Sequence, residues 1–452
     1  MQKKLGAGEV FAILLGAIIG WGSFMLPGSQ FLYNSGVINT SIGLFCGTMA
    51  IIVIERSYWY MLQQDIDEGG EFSYILIFMG RKSAFVVGWF LFLAYLSLVP
   101  LNATAFPLVI DKLFPGILNV GYLYTIAGDP IYLGEALVSV LIILFFMALN
   151  LKGIKQSGKF QFVIVAALVI CILVVFVAML FQADMGGFRE HYVDNNSFHL
   201  GQVLQVVAIT PFLFIGFDAV PQLVKDMGVS RSKASLMAVT SLLIGMGCYI
   251  LLNFTTGLAY GPEEAKSLDW ALGSGVLEHL GLIGFLMLVI ALGSAVSGGI
   301  NGFMICSTKL ICAMGRENIL PRQVGGMTER GVLKNAILAV SVISIFACFF
   351  GREVVTWIVD MCSFGAAVTY FYVCLNTFRI AKSKPDRILG SVGAILAFLF
   401  MLLLIVPYSP AALSTPALIF LSVWIIVGAY FFIRMSLADK RKNNIIQKEE
   451  KK

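Results

Sequence analysis

The stretch LLGAIIGWGSFMLPG, Leu14 to Gly28, is apolar enough to lie in a bilayer, yet it carries Gly16, Gly20, Gly22 and Pro27, each of which weakens a helix. Backbone left unpaired in hydrocarbon is costly, so a break at that depth implies a site buried in protein or facing a wet cavity. The rest of the chain shows that the depth is real. Of its 452 residues 59% are hydrophobic and 13% charged, against roughly 25% charged in an average soluble domain.

Stretches that can cross a bilayer need about 20 apolar residues, and twelve are present: 9–33, 40–62, 84–110, 133–151, 158–181, 201–224, 234–260, 281–312, 335–350, 354–378, 389–408 and 411–433, here spans 1 to 12. The expectation is an all-α integral membrane protein of about 12 transmembrane helices forming a single domain. The loops around 182–200, 261–280 and 313–334 and the tail 436–452 are too short for a soluble domain.

Basic residues set the expected orientation, because cytoplasmic flanks are enriched in Lys and Arg. With the N-terminus inside, the external loops hold Lys112, Arg189, Lys266 and Arg352, leaving 27 of 31 basic residues at the cytoplasmic side of a cell membrane. Both termini are then cytoplasmic. The net charge of +5 is a topological signal rather than a nucleic-acid footprint, and Lys440, Arg441 and Lys442 are placed to meet anionic lipid. The N-terminal run MQKKLGAGEVF lacks a small-residue cleavage site and is read as retained. All eight cysteines lie in or at the ends of apolar spans, and His191, His199 and His279 are isolated in external positions. No metal spacing, catalytic constellation or phosphate loop is visible, so no catalytic or metal residue is expected and neither an enzyme nor an ATP-driven pump is indicated.

Span 6 echoes the opening stretch. AITPFLFIGFDAVPQLV, Ala208 to Val224, carries Pro211, Gly216 and Pro221, and in both spans a Gly precedes a Pro by five residues: Gly22 to Pro27 and Gly216 to Pro221. Paired interrupted spans in two halves are the pointer to a transporter repeat, here inverted because span 1 runs outward and span 6 inward. Unwinding around Gly20, Trp21, Gly22 and Ser23 would free amide N–H groups for a carboxylate and carbonyls for an ammonium or a sodium ion. An α-amino acid satisfies both. Close helix packing by small residues is the competing use of the same glycines.

Several motifs now resemble the amino acid, polyamine and organocation permease family. GAIIGWGSFMLPG is similar to its span 1 signature, and EGGEFSYILIFMG, Glu68 to Gly80, to its Gly-Gly-x-Tyr-x-Tyr loop, with Phe72 replacing the first Tyr. NLKGIKQSGKFQ resembles the entry to span 5, FIGFDAVPQLVKDM the span 6 pattern, and KLICAMGRENILP the end of span 8. The resemblance implies two inverted five-helix repeats, about 9–181 and 201–378, two extra helices, about 389–433, and alternating access around a midplane site. It also implies that Phe212 closes over the ligand, that Phe303 aligns with an aromatic covering substrate, and that the 68–80 loop helps to seal the cytoplasmic side. Some relatives carry a proton-coupling Lys in span 5; that place falls on Leu168, so coupling by sodium, by exchange or by a proton through Asp218 stays open.

Residue by residue, the substrate-binding candidates are Ile19, Gly20, Trp21, Gly22, Ser23, Phe24, Phe212, Phe214, Gly216, Phe217 and Phe303. General packing accounts for most aromatics in a chain that is 13% aromatic. Asp218, at mid-span, is either a structural acid bonded to the broken backbone of span 1 or a group behind the site that orients span 1 and exchanges a proton. Ser294, Ser297 and Asn301 form one polar stripe on span 8, expected to line a cavity, with helix pairing the alternative. Asp360, with Thr356 and Ser363, places a second acid in span 10. Glu55 and Arg56 are expected to snorkel, and Gly261 to Gly281 to act either as an outer lid or as a plain connection. The functions in view are amino acid uptake or exchange, an amine or polyamine permease, and a substrate sensor that no longer transports, acting as monomer or homodimer with small-molecule and lipid partners and no cofactor.

Overall fold

The structure, a computed structural model, describes residues 4–64, 66, 69–126, 128–194, 197–329 and 331–449. Glu68 and the side chains of Lys155, Arg352, Thr356, Arg441 and Lys442 lie outside that set. Among the described residues the fold is all-α apart from one hairpin between spans 3 and 4, which the span pattern did not anticipate: Tyr122–Ile126 pairs antiparallel with Asp129–Tyr132. Its Tyr, Thr and Ile residues favour strands, and Gly128 turns the chain at φ +96.

Among the described residues, nine helices are long and apolar enough to cross a membrane. The stretches without such a helix are spans 1, 6 and 9. Span 9 runs as Lys334–Ala347 and tightens into a 3-10 turn, Cys348–Phe350, which ends at Gly351 with φ +78. Spans 1 and 6 are interrupted, as the breakers require.

Two helices extend beyond their apolar stretches. Span 2 continues from the outer half of span 1 through a π-turn, Pro27–Leu32, and a kink at Gly36 (φ 62). Span 8 belongs to Ala271–Arg316, bent at Gly281 (φ 64). The second half of the 261–280 loop is therefore helix, and it lies on span 1: Trp270 Nε1 donates to the Phe24 carbonyl at 3.2 Å, and Ala271 would touch any Cβ placed on Gly28, at 2.6 Å.

The inner half of span 1, Ala7–Ile18, packs against spans 5, 7 and 8. Close approach to span 8 depends on glycine, because a Cβ on Gly298 would stand 2.8 Å from the Gly16 carbonyl oxygen. The 68–80 loop forms the helix Gly70–Met79, with Glu71, Phe72, Tyr74 and Ile75 fully buried. One face of it thus packs into the bundle, while Ile77 and Phe78 stay exposed. Glu55 and Arg56 part company: Arg56 reaches outward to Trp59 and Asp386, while Glu55 is buried and accepts from Ser235 of span 7. The snorkelling expectation is corrected for Glu55, because its short side chain points between helices where a hydroxyl replaces water.

Candidate functional site: the crossing of two broken spans

Span 1 stops at Ile18. Ile19 and Gly20 are extended, at φ −91, ψ 96 and φ −127, ψ −153, and a second helix starts at Trp21. The break is two residues long and takes in only the first residue of the expected GWGS unit. A Cβ at position 20 would come within 2.9 Å of Asn102 Oδ1 and displace it. That oxygen accepts from the Trp21 N–H at 2.9 Å, so span 3 caps the second half-helix. Ser23 turns back on the break, its N–H and hydroxyl both reaching the Gly20 carbonyl, at 3.2 and 2.8 Å.

Span 6 opens over five residues. Leu200–Leu213 ends, Phe214 to Asp218 form turns, and Ala219–Leu223 resumes. Gly216 sits at φ +121, in backbone that side chains avoid, and its own Cβ would stand 2.7 Å from Ala17 Cβ and 3.1 Å from the Ile18 amide nitrogen. The two interruptions therefore meet. Tyr249 of span 7 sits across the junction, its hydroxyl 3.5 Å from the Ile18 carbonyl and 3.3 Å from the Leu213 carbonyl, one proton facing two acceptors.

Asp218 caps its own span. Its Oδ1 accepts from the Gly216 N–H at 2.7 Å. The partner of the span 1 break is Asn102, so a direct bond from the Asp218 side chain to the span 1 backbone is corrected to one within its own loop, where it holds Gly216 against Ala17 and Ile18.

The aromatic candidates divide. Phe212 reaches span 1, 3.2 Å from the Cβ position of Gly22, where the Tyr249 hydroxyl also comes within 3.3 Å. Phe214 packs on Tyr249 at 5.8 Å. Phe217 points the other way, against Tyr58 and Tyr370 at 5.2 and 5.4 Å, and Phe303 packs on Tyr95 at 6.1 Å. Phe24 and Ile19 are fully buried, and Trp21 is nearly so.

The span 8 stripe is drawn into helix pairing at Asn301. Its Nδ2 donates to Gln161 of span 5 at 3.0 Å, its Oδ1 accepts from Asn150 of span 4 at 3.1 Å, and Gln161 reaches the Ala12 carbonyl of span 1 at 3.4 Å. This amide chain ties spans 4, 5 and 8 to the inner half of span 1. Ser294 is buried and Ser297 half-buried. Asp360 is half-buried and makes no hydrogen bond or ion pair among the described residues.

A cavity of about 750 Å³ opens on the face that carries the N-terminal segment. Lys4, Asn150, Asp226, Lys309 and Arg316 line it, and Phe72, Gln222 and Ile305 also belong to its wall. None of Ile19 to Phe24 or Phe212 to Asp218 is in its wall. The crossing is closed to it. Lys309 bonds Asp226 and the Gln222 carbonyl, and Leu5 pairs with Asp226 and Gly228, which ties the start of span 1 to the end of span 6.

Residues that the span-by-span reading did not single out thus hold the crossing: Asn102 and Tyr249. Their signal was a lone polar residue in an apolar run, which says that a partner exists but not where.

Comparison with known proteins points to one family. A family described as amino acid permease matches residues 5–433. A methylthioribose transporter from Bacillus subtilis is 24% identical, with 99% of this chain and 95% of the relative covered. A branched-chain amino acid permease from Lactococcus lactis is 22% identical, covering 98% and 96%. A vacuolar cationic amino acid transporter from Arabidopsis thaliana is 23% identical over 86% of this chain but 65% of its own length, so the chain spans about two thirds of that relative.

Proposed function

The chain belongs to the amino acid permease family and is a multi-pass membrane transporter, and from that premise we propose that it moves an amino acid across the membrane by alternating access around the crossing of spans 1 and 6. The observation that carries the reading is the contact of Gly216 with Ala17 and Ile18, which brings two interrupted backbones together inside the bundle. The substrate carboxylate is assigned to the Gly22 amide, between the N–H groups that Asn102 and Gly20 already occupy. The ammonium is assigned to the carbonyls that face Tyr249, at Ile18 and Leu213. Phe212 closes over Gly22. The two inverted repeats, with both termini cytoplasmic, make the cavity a cytoplasmic vestibule, and the Trp270 contact with Phe24 supports closure of the opposite side.

A second reading has its own support. One relative covering nearly the whole chain carries methylthioribose, which has no carboxylate, and two of the amides at the start of the outer half-helix are already bonded. An amine or thio-sugar would then bind mainly through carbonyls and hydroxyls. Thermal stabilisation of the purified chain by a panel of amino acids, their decarboxylated amines and thio-sugars separates the readings, and uptake into proteoliposomes separates a carrier from a sensor. Stabilisation by amino acids, with the matching amines silent, is the expected result. Phe212→Ala should weaken it roughly tenfold or more, the loss of about 1.4 kcal/mol. Stabilisation by the amines alone would overturn the carboxylate assignment.

A further inference from the structure

Asn253, in the helix Arg231–Ala259 of span 7, is a buried amide that the transport reading does not use. Its side chain is fully buried, and neither Oδ1 nor Nδ2 has a partner among the described residues. Each of the other buried asparagines has at least one. Asn102 and Asn150 turn Nδ2 back to the carbonyl four residues earlier, at 2.7 and 2.9 Å, and both also bond another span. Asn39 and Asn301 bond to glutamines of spans 6 and 5, and Asn376 reaches the Met61 sulfur. Asn253 leaves the Tyr249 carbonyl, one turn back, unused, while the neighbouring Thr255 and Thr256 hydroxyls bond the Leu251 and Leu252 carbonyls. A buried amide with both ends unpaired is costly unless some state of the protein supplies the partner.

Its position says which state. The face of span 7 that carries Asn253 runs along span 1. A Cβ on Gly245 would stand 2.5 Å from Ile18, the Tyr249 hydroxyl faces the Ile18 and Leu213 carbonyls, and a Cβ on Gly257 would stand 3.0 Å from Val37. Asn253 lies four residues from both Tyr249 and Gly257, hence on the same face. Helical side chains lean toward the N-terminus, so the amide covers the turn of Tyr249, which bears on the junction of the two broken spans. Span 7 starts five residues after Asp226 of the cavity wall, which puts Asn253 beyond the crossing as seen from the cavity.

We infer that Asn253 is a specificity-determining residue that receives the side chain of the substrate, and that this side chain is a carboxamide, as in glutamine or asparagine. The inference rests on the transport reading above and names its substrate class. Asn253 offers a donor and an acceptor side by side, and a second primary amide, paired head to tail, answers both at once. A carboxylate answers only Nδ2, and an aliphatic side chain answers neither. A site built from unpaired polar groups rejects such analogues, because binding them leaves those groups unpaired.

The test compares glutamine with methionine and asparagine with leucine, pairs of similar size, in thermal-shift titrations of the full purified chain. Wild type should need roughly tenfold more of the aliphatic partner, or beyond, for half-maximal stabilisation. Asn253→Leu should abolish that preference. Its melting temperature without ligand should equal or exceed that of wild type, because the change removes a buried group that has no partner. A purely structural amide gives the opposite pair, a lower melting temperature with the preference intact, and that result overturns the inference. Should Asn253→Leu fail to fold, the preference measured in Asn253→Ala decides. Equal responses of wild type to the amides and their aliphatic counterparts overturn the inference and leave amino acid transport standing. If none of the twenty common amino acids stabilises wild type, the transport reading fails and the inference falls with it.

Discussion

Spans 1 and 6 carry the same Gly-to-Pro spacing and break in different ways. In span 1 two residues are extended, and the half-helix that follows is capped by Asn102, a side chain borrowed from span 3. In span 6 five residues unwind, and Asp218 caps the loop from within. Pro27 falls in a π-turn in the first case, and Pro221 inside a short helix in the second. A self-capped break keeps its shape when its neighbours move, whereas a borrowed cap ties the shape to the position of another helix. Span 1 is therefore the half of the crossing that answers to the bundle, and span 6 is the half that carries its own cap.

That difference can be broken most severely at Gly216. Gly216→Val imposes a β-branched residue at φ +121 and drives it into Ala17. The backbone strain alone is about 1–3 kcal/mol, and overpacking adds a similar amount, about 1–3 kcal/mol. The expected outcome is loss of the folded carrier, read as loss of a monodisperse peak and of the cooperative thermal transition. Asn102→Ala comes next. It leaves the Trp21 N–H buried without an acceptor, a cost of about 1–3 kcal/mol, and it should lower both the melting temperature and substrate-induced stabilisation. An equal substitution effect on ligand binding at a buried amide away from the break, such as Asn376 between spans 10 and 2, would deny Asn102 its special place at the break.

Much of this arrangement could be read from local chemistry. Gly20, Gly216 and the two prolines announce broken helices because backbone conformation is a local property, and the resemblance rested on the same residues. What escaped were the partners. Glu71 belongs to a segment read as sealing the cytoplasmic side, and it is buried only because one face of Gly70–Met79 packs into the bundle. Asn301 sits on a clean polar stripe, but spacing along one helix cannot tell a cavity from the amides of spans 4 and 5. Phe217 stands three residues after Phe214, yet the unwound loop turns the two rings toward opposite neighbours, Tyr249 for Phe214 and the tyrosines of spans 2 and 10 for Phe217. Helical periodicity stops informing where the helix stops.

The mildest change probes the junction itself. Tyr249→Phe keeps the ring that packs on Phe214 and removes the hydroxyl that faces both Ile18 and Leu213. Those carbonyls retain their lone pairs for other donors, so the loss of stability should be about 0.5–1.5 kcal/mol. If the same carbonyls receive the substrate ammonium, Tyr249 competes with the substrate for them, and its removal should leave affinity equal or higher while thermal stability falls. A binding titration beside a melting curve separates the two effects. Weaker binding and lower stability together would mean that the hydroxyl acts with the substrate, and the ammonium subsite would then have to move away from span 7.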